Sequence, residues 1–71
     1  MKITFDRKYN LAYIYFSLKN EPVRTYACDP IEVGGQINLD FNSNGHLVGI
    51  EVLDATKLLP PELLNSTDVV D

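Results

Sequence analysis

The feature that most constrains this fold is the dipeptide Asn44-Gly45, which lies between two alternating apolar segments. Asn-Gly favours a tight two-residue β-turn because both positions accept a positive φ angle. Pairing the flanking segments around that turn places three apolar pairs on one face, namely Phe41 with Val48, Leu39 with Ile50, and Ile37 with Val52. A shift of one residue would mix apolar and polar side chains on both faces. The sequence therefore predicts this register for a β-hairpin over residues 37–52.

Three segments before the hairpin also alternate in the way that is typical of β-strands. They cover residues 2–5, 11–18 and 23–28, and each contains aromatic and β-branched side chains. The segment 11–18 carries apolar side chains on both faces, so we expect it at the centre of the sheet or covered on both sides. Together with the hairpin, these segments predict a small antiparallel sheet of four or five strands.

The residues after the hairpin indicate a short C-terminal helix. Asp54 precedes it and can accept hydrogen bonds from the free amide groups of the first turn. Pro60 and Pro61 end this helix, and Pro61 occupies a favourable first position for one more turn. The predicted class is therefore α+β and mainly β, with residues 1–64 forming one small domain. Residues 65–71 are polar and acidic, and we expect a frayed tail there.

Size and charge limit the function. The chain has 71 residues and a mass of 8.0 kDa, which is enough for a single core. The 6 basic residues stand against 10 acidic ones, so the net charge is −4 and the sequence pI is about 4.7. That balance argues against autonomous binding to nucleic acid, which requires a basic surface, and against adsorption to anionic membranes.

Cysteine content and the N-terminal segment bear on location. Cys28 is the single cysteine, so neither an internal disulfide nor a cysteine-rich metal site can form. We expect it to be a buried or half-buried structural thiol. The N-terminal segment lacks the apolar run of a signal peptide, and no segment approaches the roughly 20 apolar residues of a membrane span. These features predict a cytoplasmic protein, and no pattern in the sequence indicates a cofactor.

Residues 40–51 fit the spacing of a calcium-binding loop, which would begin at Asp40 and end at Glu51. That loop functions between two helices, whereas the flanking segments here have the period of strands, so a hairpin turn is the better interpretation. His46, the single histidine, follows the turn and is expected to be exposed. A metal site or an enzyme that uses Asp40, His46 and Glu51 is the weakest hypothesis, because no nucleophile accompanies them.

A candidate interaction surface consists of Leu11, Tyr13 and Tyr15, which alternate along one strand and share a face. If the C-terminal helix leaves that face open, the three side chains form an apolar and aromatic patch typical of protein interfaces. The alternative is that the leucines of the helix cover it, and these are Leu58, Leu59, Leu63 and Leu64. The sequence favours neither arrangement.

Three segments, Met1–Asp6, Leu11–Ser17 and the hairpin segment Ile37–Thr56, resemble those of a known family. They are similar to the domain of unknown function 2283 family, a group of small prokaryotic and phage proteins. The resemblance covers roughly residues 1–59 and implies an opening strand, a second strand and a signature hairpin. Asn42 and Asn44 stand where many members carry acidic residues.

No catalytic residue is established for that family, so the resemblance implies none here. The leading hypothesis is a non-enzymatic protein-interaction module that acts as a homo-oligomer or with a small protein partner. Some family members resemble the smaller partner in two-gene modules with RNase-like toxins. The resemblance therefore also implies an alternative, an antitoxin-like protein that neutralises a small basic RNase-like toxin. A net charge of −4 would speed its encounter with such a partner.

Overall fold

The computed structural model describes residues 1–19, 21–66 and 68–70. The described strands are β1 (Lys2–Asp6), β2 (Leu11–Tyr15), β3 (Arg24–Ala27), β4 (Ile37–Phe41), β5 (Leu47–Leu53) and β6 (Asp68–Val70). The described helices are single turns, α1 (Pro30–Val33), α2 (Ala55–Leu58) and α3 (Pro61–Leu64). The strands form one sheet in the order β3-β4-β5-β2-β1-β6. Neighbouring strands are antiparallel except β1 and β6, so the predicted α+β class with a mainly antiparallel sheet is confirmed.

The hairpin of β4 and β5 has the predicted register over most of its length. Ile37 pairs with Val52, and Leu39 pairs with Ile50. The prediction is wrong next to the turn, where a shift in register pairs Phe41 with Leu47. The residue that was expected opposite Phe41, Val48, is instead part of a bulge in β5.

The turn itself has three residues between Asn42 and His46, not the predicted two. The side-chain oxygen of Asn42 accepts hydrogen bonds from the backbone N–H groups of Asn44 and His46, at 3.0 Å each. Gly45 has a φ angle of 82°, the left-handed conformation that closes a three-residue turn with a bulge. A buried asparagine that binds the backbone of its own turn has overridden the preference of Asn-Gly for a two-residue turn.

Strand β2 lies at the centre of the sheet between β1 and β5, as its two apolar faces predict. It ends at Tyr15 instead of Leu18. The backbone N–H groups of Phe16 and Ser17 both donate to the carbonyl of Val48, at 2.9 and 3.4 Å, so the regular ladder stops there.

The helices cover one side of the sheet, which we call the covered face. Phe5, Ala12 and Val52 form a row across β1, β2 and β5, and all three are buried together with Ala55 at the start of α2. Partly buried side chains pack around this row, and they are Ile37, Ile50, Leu58, Leu59 and Leu64. Full burial of a phenylalanine or valine side chain contributes about 1.5–3 kcal/mol, so this row provides the main apolar stabilisation.

Helix α1 corresponds to none of the predicted elements. Asp29 caps it by accepting a hydrogen bond from the N–H of Ile31 at 2.9 Å, and Pro30 is its first residue. Gly34 closes it with a φ angle of 77°. A capping Asp, a Pro at the first position and a Gly after the end are the local signals of a short helix, and the sequence carries all three.

The prediction that the Asp54 side chain caps the C-terminal helix is wrong. Asp54 stands at the N-cap of α2 with a φ angle of 54°, but its carboxylate makes no cap hydrogen bond. Asn10, from the turn between β1 and β2, takes that role. Its side-chain oxygen accepts from the N–H of Thr56 at 3.2 Å, and its carbonyl accepts from the N–H of Ala55 at 2.9 Å. The helical turn after Pro60 does begin at Pro61, as predicted.

The segment 65–71, where we expect a frayed tail, contains β6. Residues 68–70 run parallel to β1, with Asp68 aligned to Thr4. Residues 67 and 71, like residue 20 between β2 and β3, lie outside the described residues, and fraying in solution stays a prediction. A separate observation is that each described helix is too short to cross a membrane.

Candidate functional site

The side of the sheet opposite α2 and α3 is formed by strand side chains, and we call it the open face. Tyr13 and Tyr15 lie at its centre on β2, with their ring centroids 4.5 Å apart and their ring planes inclined by 50°. The strand register places Asp40 and Glu51 on the same face, on β4 and β5. Of the four helix leucines, Leu58, Leu59 and Leu64 pack on the covered face, so they do not lie over the tyrosines.

Tyr13 reaches across β5 to a buried carboxylate on β4. Its hydroxyl donates a hydrogen bond to Oδ2 of Asp40, and the hydroxyl of Thr25 on β3 donates to Oδ1 of Asp40 at 2.5 Å. Asp40 is only 9% exposed. The path is open because Gly49 lies beneath the Tyr13 ring, where a Cβ atom would stand 2.5 Å from Cζ of Tyr13. Hydrogen bonds between side chains thus connect three strands, β2, β4 and β3, and the Tyr13 ring crosses the fourth, β5, at Gly49.

The surroundings of Tyr13 keep its hydroxyl protonated. Partial burial, and then the hydrogen bond to Asp40, raise the pKa of the Tyr13 phenol well above its usual range. The negative charges of Asp40 and Glu51 act in the same direction. Tyr13 is therefore a hydrogen-bond donor to Asp40 at neutral pH, and the negative charge of the pair stays on the carboxylate.

The two tyrosines form a ridge with a depression on each side. One depression, of about 290 Å³, is lined by Tyr13 and Tyr15 together with Leu11 and residues of β1. The structure thus brings together all three residues of the predicted interaction surface, Leu11, Tyr13 and Tyr15. The other depression, of about 340 Å³, lies between the ridge and the loop that follows β2, and we call it the groove.

A second polar pair lies next to this network. The side-chain amide of Asn38 donates a hydrogen bond to Oε1 of Glu51 at 2.8 Å across the β4–β5 ladder. His46 is exposed in the hairpin turn, as expected from its position. Within the described part of the chain, acidic residues, histidine and cysteine form no group of three that could hold a metal ion. Asp40, His46 and Glu51 therefore do not converge on one site, and Cys28 is half-buried elsewhere.

Sequence reasoning found the tyrosines but missed their partners. The sequence offers Asp40 only as a possible metal ligand or catalytic residue, whereas the structure buries it against the hydroxyl groups of Tyr13 and Thr25. Thr25 lies on the predicted strand β3, which pairs with β4, but no sequence pattern linked its hydroxyl group to Asp40. The available signal was Gly49, since a glycine inside a strand often marks the close approach of another group.

Comparison with known proteins identifies the family. The family model described as "Protein of unknown function (DUF2283)" matches residues 2–55, which include β1 to β5 and therefore Tyr13, Tyr15 and Asp40 of the open face. The chain belongs to the DUF2283 family. Neither a curated protein nor a solved structure matches the sequence. The segment of this DUF2283 protein that contains α3 and β6 lies beyond the match.

Proposed function

We propose that this DUF2283 protein is a non-enzymatic protein-interaction module and that its binding surface is the open face. The observation that carries the proposal is the tyrosine ridge, which stands between two depressions on a face that the helices leave uncovered. Tyrosine is enriched at protein interfaces because it combines a large apolar ring with a polar tip and few rotatable bonds.

Preorganisation supports the same proposal. Tyr13 is held by Asp40 and packs over Gly49, and Tyr15 packs against Tyr13. Side chains that are already fixed lose little conformational entropy when a partner binds. The ridge also stands on an inner strand of the sheet, which is paired along both of its edges.

The chemistry of the face favours binding over catalysis. Covalent catalysis requires a side-chain nucleophile that an adjacent base activates. Of the two hydroxyl groups that donate to Asp40, the Tyr13 phenol is a poor nucleophile because its pKa is raised. A cytoplasmic location is part of the proposal, supported by a single cysteine that has no partner for a disulfide.

The second candidate is an antitoxin-like role toward a small basic RNase-like protein. It is favoured by the net charge of −4 and by the carboxylates of the open face, Asp40 and Glu51. Complementary charge accelerates encounter and selects basic partners. This candidate uses the same surface as the first and differs only in the identity of the partner.

Affinity capture from the native host tests the proposal. The tagged protein is expressed from its own locus, and co-purifying proteins are quantified by mass spectrometry for the wild type, Tyr15→Ala and Tyr9→Ala. Tyr9 is 68% exposed and lines neither depression, so it is a matched control. We expect a stoichiometric partner that Tyr15→Ala loses and Tyr9→Ala keeps.

Self-association is measured on the same variants by light scattering, because a second copy of the chain is one form of partner. A dimer that dissociates in Tyr15→Ala would support the interaction module in its homo-oligomeric form. A basic partner that is released by rising salt would favour the antitoxin-like candidate. A monomer with no Tyr15-dependent partner would contradict both candidates.

A further inference from the structure

The groove beside the tyrosine ridge has walls of different chemistry. Tyr13 and Tyr15 form its aromatic wall, and Leu18 and Pro22 form an apolar wall opposite. Asp40 lies at its base and Glu21 at its rim. Its volume of about 340 Å³ is at the low end of the range of about 300–1,000 Å³ for small-molecule sites, so it suits a single side chain.

Among the described residues, the charge at the base of the groove has neutral hydrogen-bond partners. Asp40 is 9% exposed, and the partners that the described residues give it are the neutral hydroxyls of Tyr13 and Thr25. A buried carboxylate is costly without compensation, and a cation placed beside it interacts more strongly than in water. Glu21 at the rim adds a second negative charge to the same opening. The groove therefore complements a positively charged guest.

The tyrosine wall adds a second reason to expect a cation. Aromatic faces attract ammonium and guanidinium groups through the ring quadrupole. The structure shows this for the same residue, since Nζ of Lys2 lies 6.0 Å from the centroid of the Tyr15 ring. Tyr15 lines both depressions, so its ring is also available on the groove side.

We propose that the groove binds an arginine side chain of a partner protein, an inference that rests on the proposed function and names what its surface recognises. The planar guanidinium stacks on the tyrosine wall while its N–H groups face the carboxylates of Asp40 and Glu21. Arginine fits better than lysine because a guanidinium stacks on aromatic rings and pairs with carboxylates through two hydrogen bonds at once. Its methylene groups lie along Leu18 and Pro22, and apolar surface is buried there as well.

The test is an NMR titration of the folded, isotope-labelled protein with two blocked tripeptides. One contains arginine, and the other contains citrulline, which has nearly the same shape without the charge. We expect the arginine peptide to shift the backbone signals of Tyr15, Leu18 and Glu21 with millimolar affinity, and the citrulline peptide to leave them unchanged. Equal binding of both peptides, or shifts that centre on Leu11 in the other depression, would overturn the inference.

Two variants with matched controls test whether the aromatic wall and the acidic rim of the groove contact the arginine peptide. Tyr15→Leu should weaken binding of the arginine peptide by about 2- to 30-fold, the range for a cation on an aromatic face. Glu21→Gln should weaken it by about 2- to 5-fold, as for an exposed ion pair. Tyr9→Leu and Glu62→Gln change exposed residues that do not line the groove, and they should leave the affinity unchanged. Unchanged affinity in both groove variants would contradict the proposal.

Free arginine, titrated in parallel, separates a protein-bound side chain from a small-molecule ligand. Tighter binding of the free amino acid than of the blocked peptide would overturn the assignment to a partner protein. The result is also separable from the proposed function. A partner that depends on Tyr15, found without any arginine-specific shift, would leave the interaction module standing and remove the groove as its arginine site.

Discussion

The two faces of the sheet are stabilised by different kinds of contact. On the covered face, Phe5, Ala12 and Val52 are buried under α2 and α3 by apolar packing. On the open face, Tyr13 and Asp40 meet through a hydrogen bond across a glycine. Apolar packing tolerates many side chains of similar volume, whereas a buried hydrogen bond needs particular groups in particular places. The comparison suggests that the covered face maintains the fold and that the open face is arranged for a partner.

The largest expected effect comes from the covered face. Phe5→Ala should lower the free energy of unfolding by about 3–5 kcal/mol, because it leaves a cavity beneath α3. Since a domain of this size is stable by only about 4–11 kcal/mol, much of the protein should unfold at 37 °C. Urea unfolding followed by circular dichroism measures the change. Ile31→Ala, at a side chain that is 90% exposed, is the control and should change the value by less than about 0.5 kcal/mol.

A smaller loss should follow from Tyr13→Phe on the open face. The variant keeps the ring but removes a hydrogen bond to a buried carboxylate, which costs about 1.5–3 kcal/mol. Tyr15→Phe removes a hydroxyl from the same ridge without affecting Asp40, and its unfolding free energy should stay near that of the wild type. If the two variants unfold at the same urea concentration, the contact between Tyr13 and Asp40 contributes nothing to stability.

Gly49→Ala tests whether the Tyr13 ring of β2 needs the space above Gly49 of β5 to reach Asp40. The added Cβ would overlap the Tyr13 ring, so the ring must move away from Asp40, at a cost of about 1–3 kcal/mol. In a Tyr13→Ala background the ring is gone, and the same substitution should cost almost nothing. A double-mutant cycle by urea unfolding gives the coupling, and additive effects would contradict the described geometry.

The smallest effect is a dependence on alkaline pH. Unfolded Tyr13 loses its proton near its ordinary pKa of 10.0, whereas folded Tyr13 holds the proton to higher pH. The folded state thus binds more protons above about pH 10, so the free energy of unfolding should decrease as the pH rises through that range. Tyr13→Phe should show a shallower decrease than Tyr15→Phe when urea midpoints are compared on both sides of pH 10. Parallel curves for the two variants would rule out Tyr13 as the source.

The accuracy of the sequence-based predictions differs between the same two faces. Alternation and volume identify the covered face, which is why the pairing of Ile37 with Val52 was predicted correctly. Contacts that depend on one polar side chain were not predicted. Asn42 reshapes the hairpin turn, Asn10 caps a helix that follows it by more than half the chain, and Asp40 is buried by residues of two other strands. The contacts of Asn10 and Asp40 leave no periodic pattern, because each joins residues whose proximity depends on the completed fold. The contact of Asn42 is local, but it depends on a single side chain and not on a repeat.

The long-range pairing of β2 with β5 has a consequence for the order of folding. All other antiparallel pairs join strands that follow one another in the chain, so they can form early with a low cost in loop entropy. These local pairs make two parts, β1 with β2 and β3 with β4 and β5. Pairing β2 with β5, from Leu11 opposite Leu53 onwards, joins the two parts and brings Tyr13 to Asp40. The tyrosine ridge and the carboxylate beside it come from different parts. A chain in which β2 and β5 have not yet paired therefore lacks the groove, because its aromatic wall and Asp40 have not been brought together.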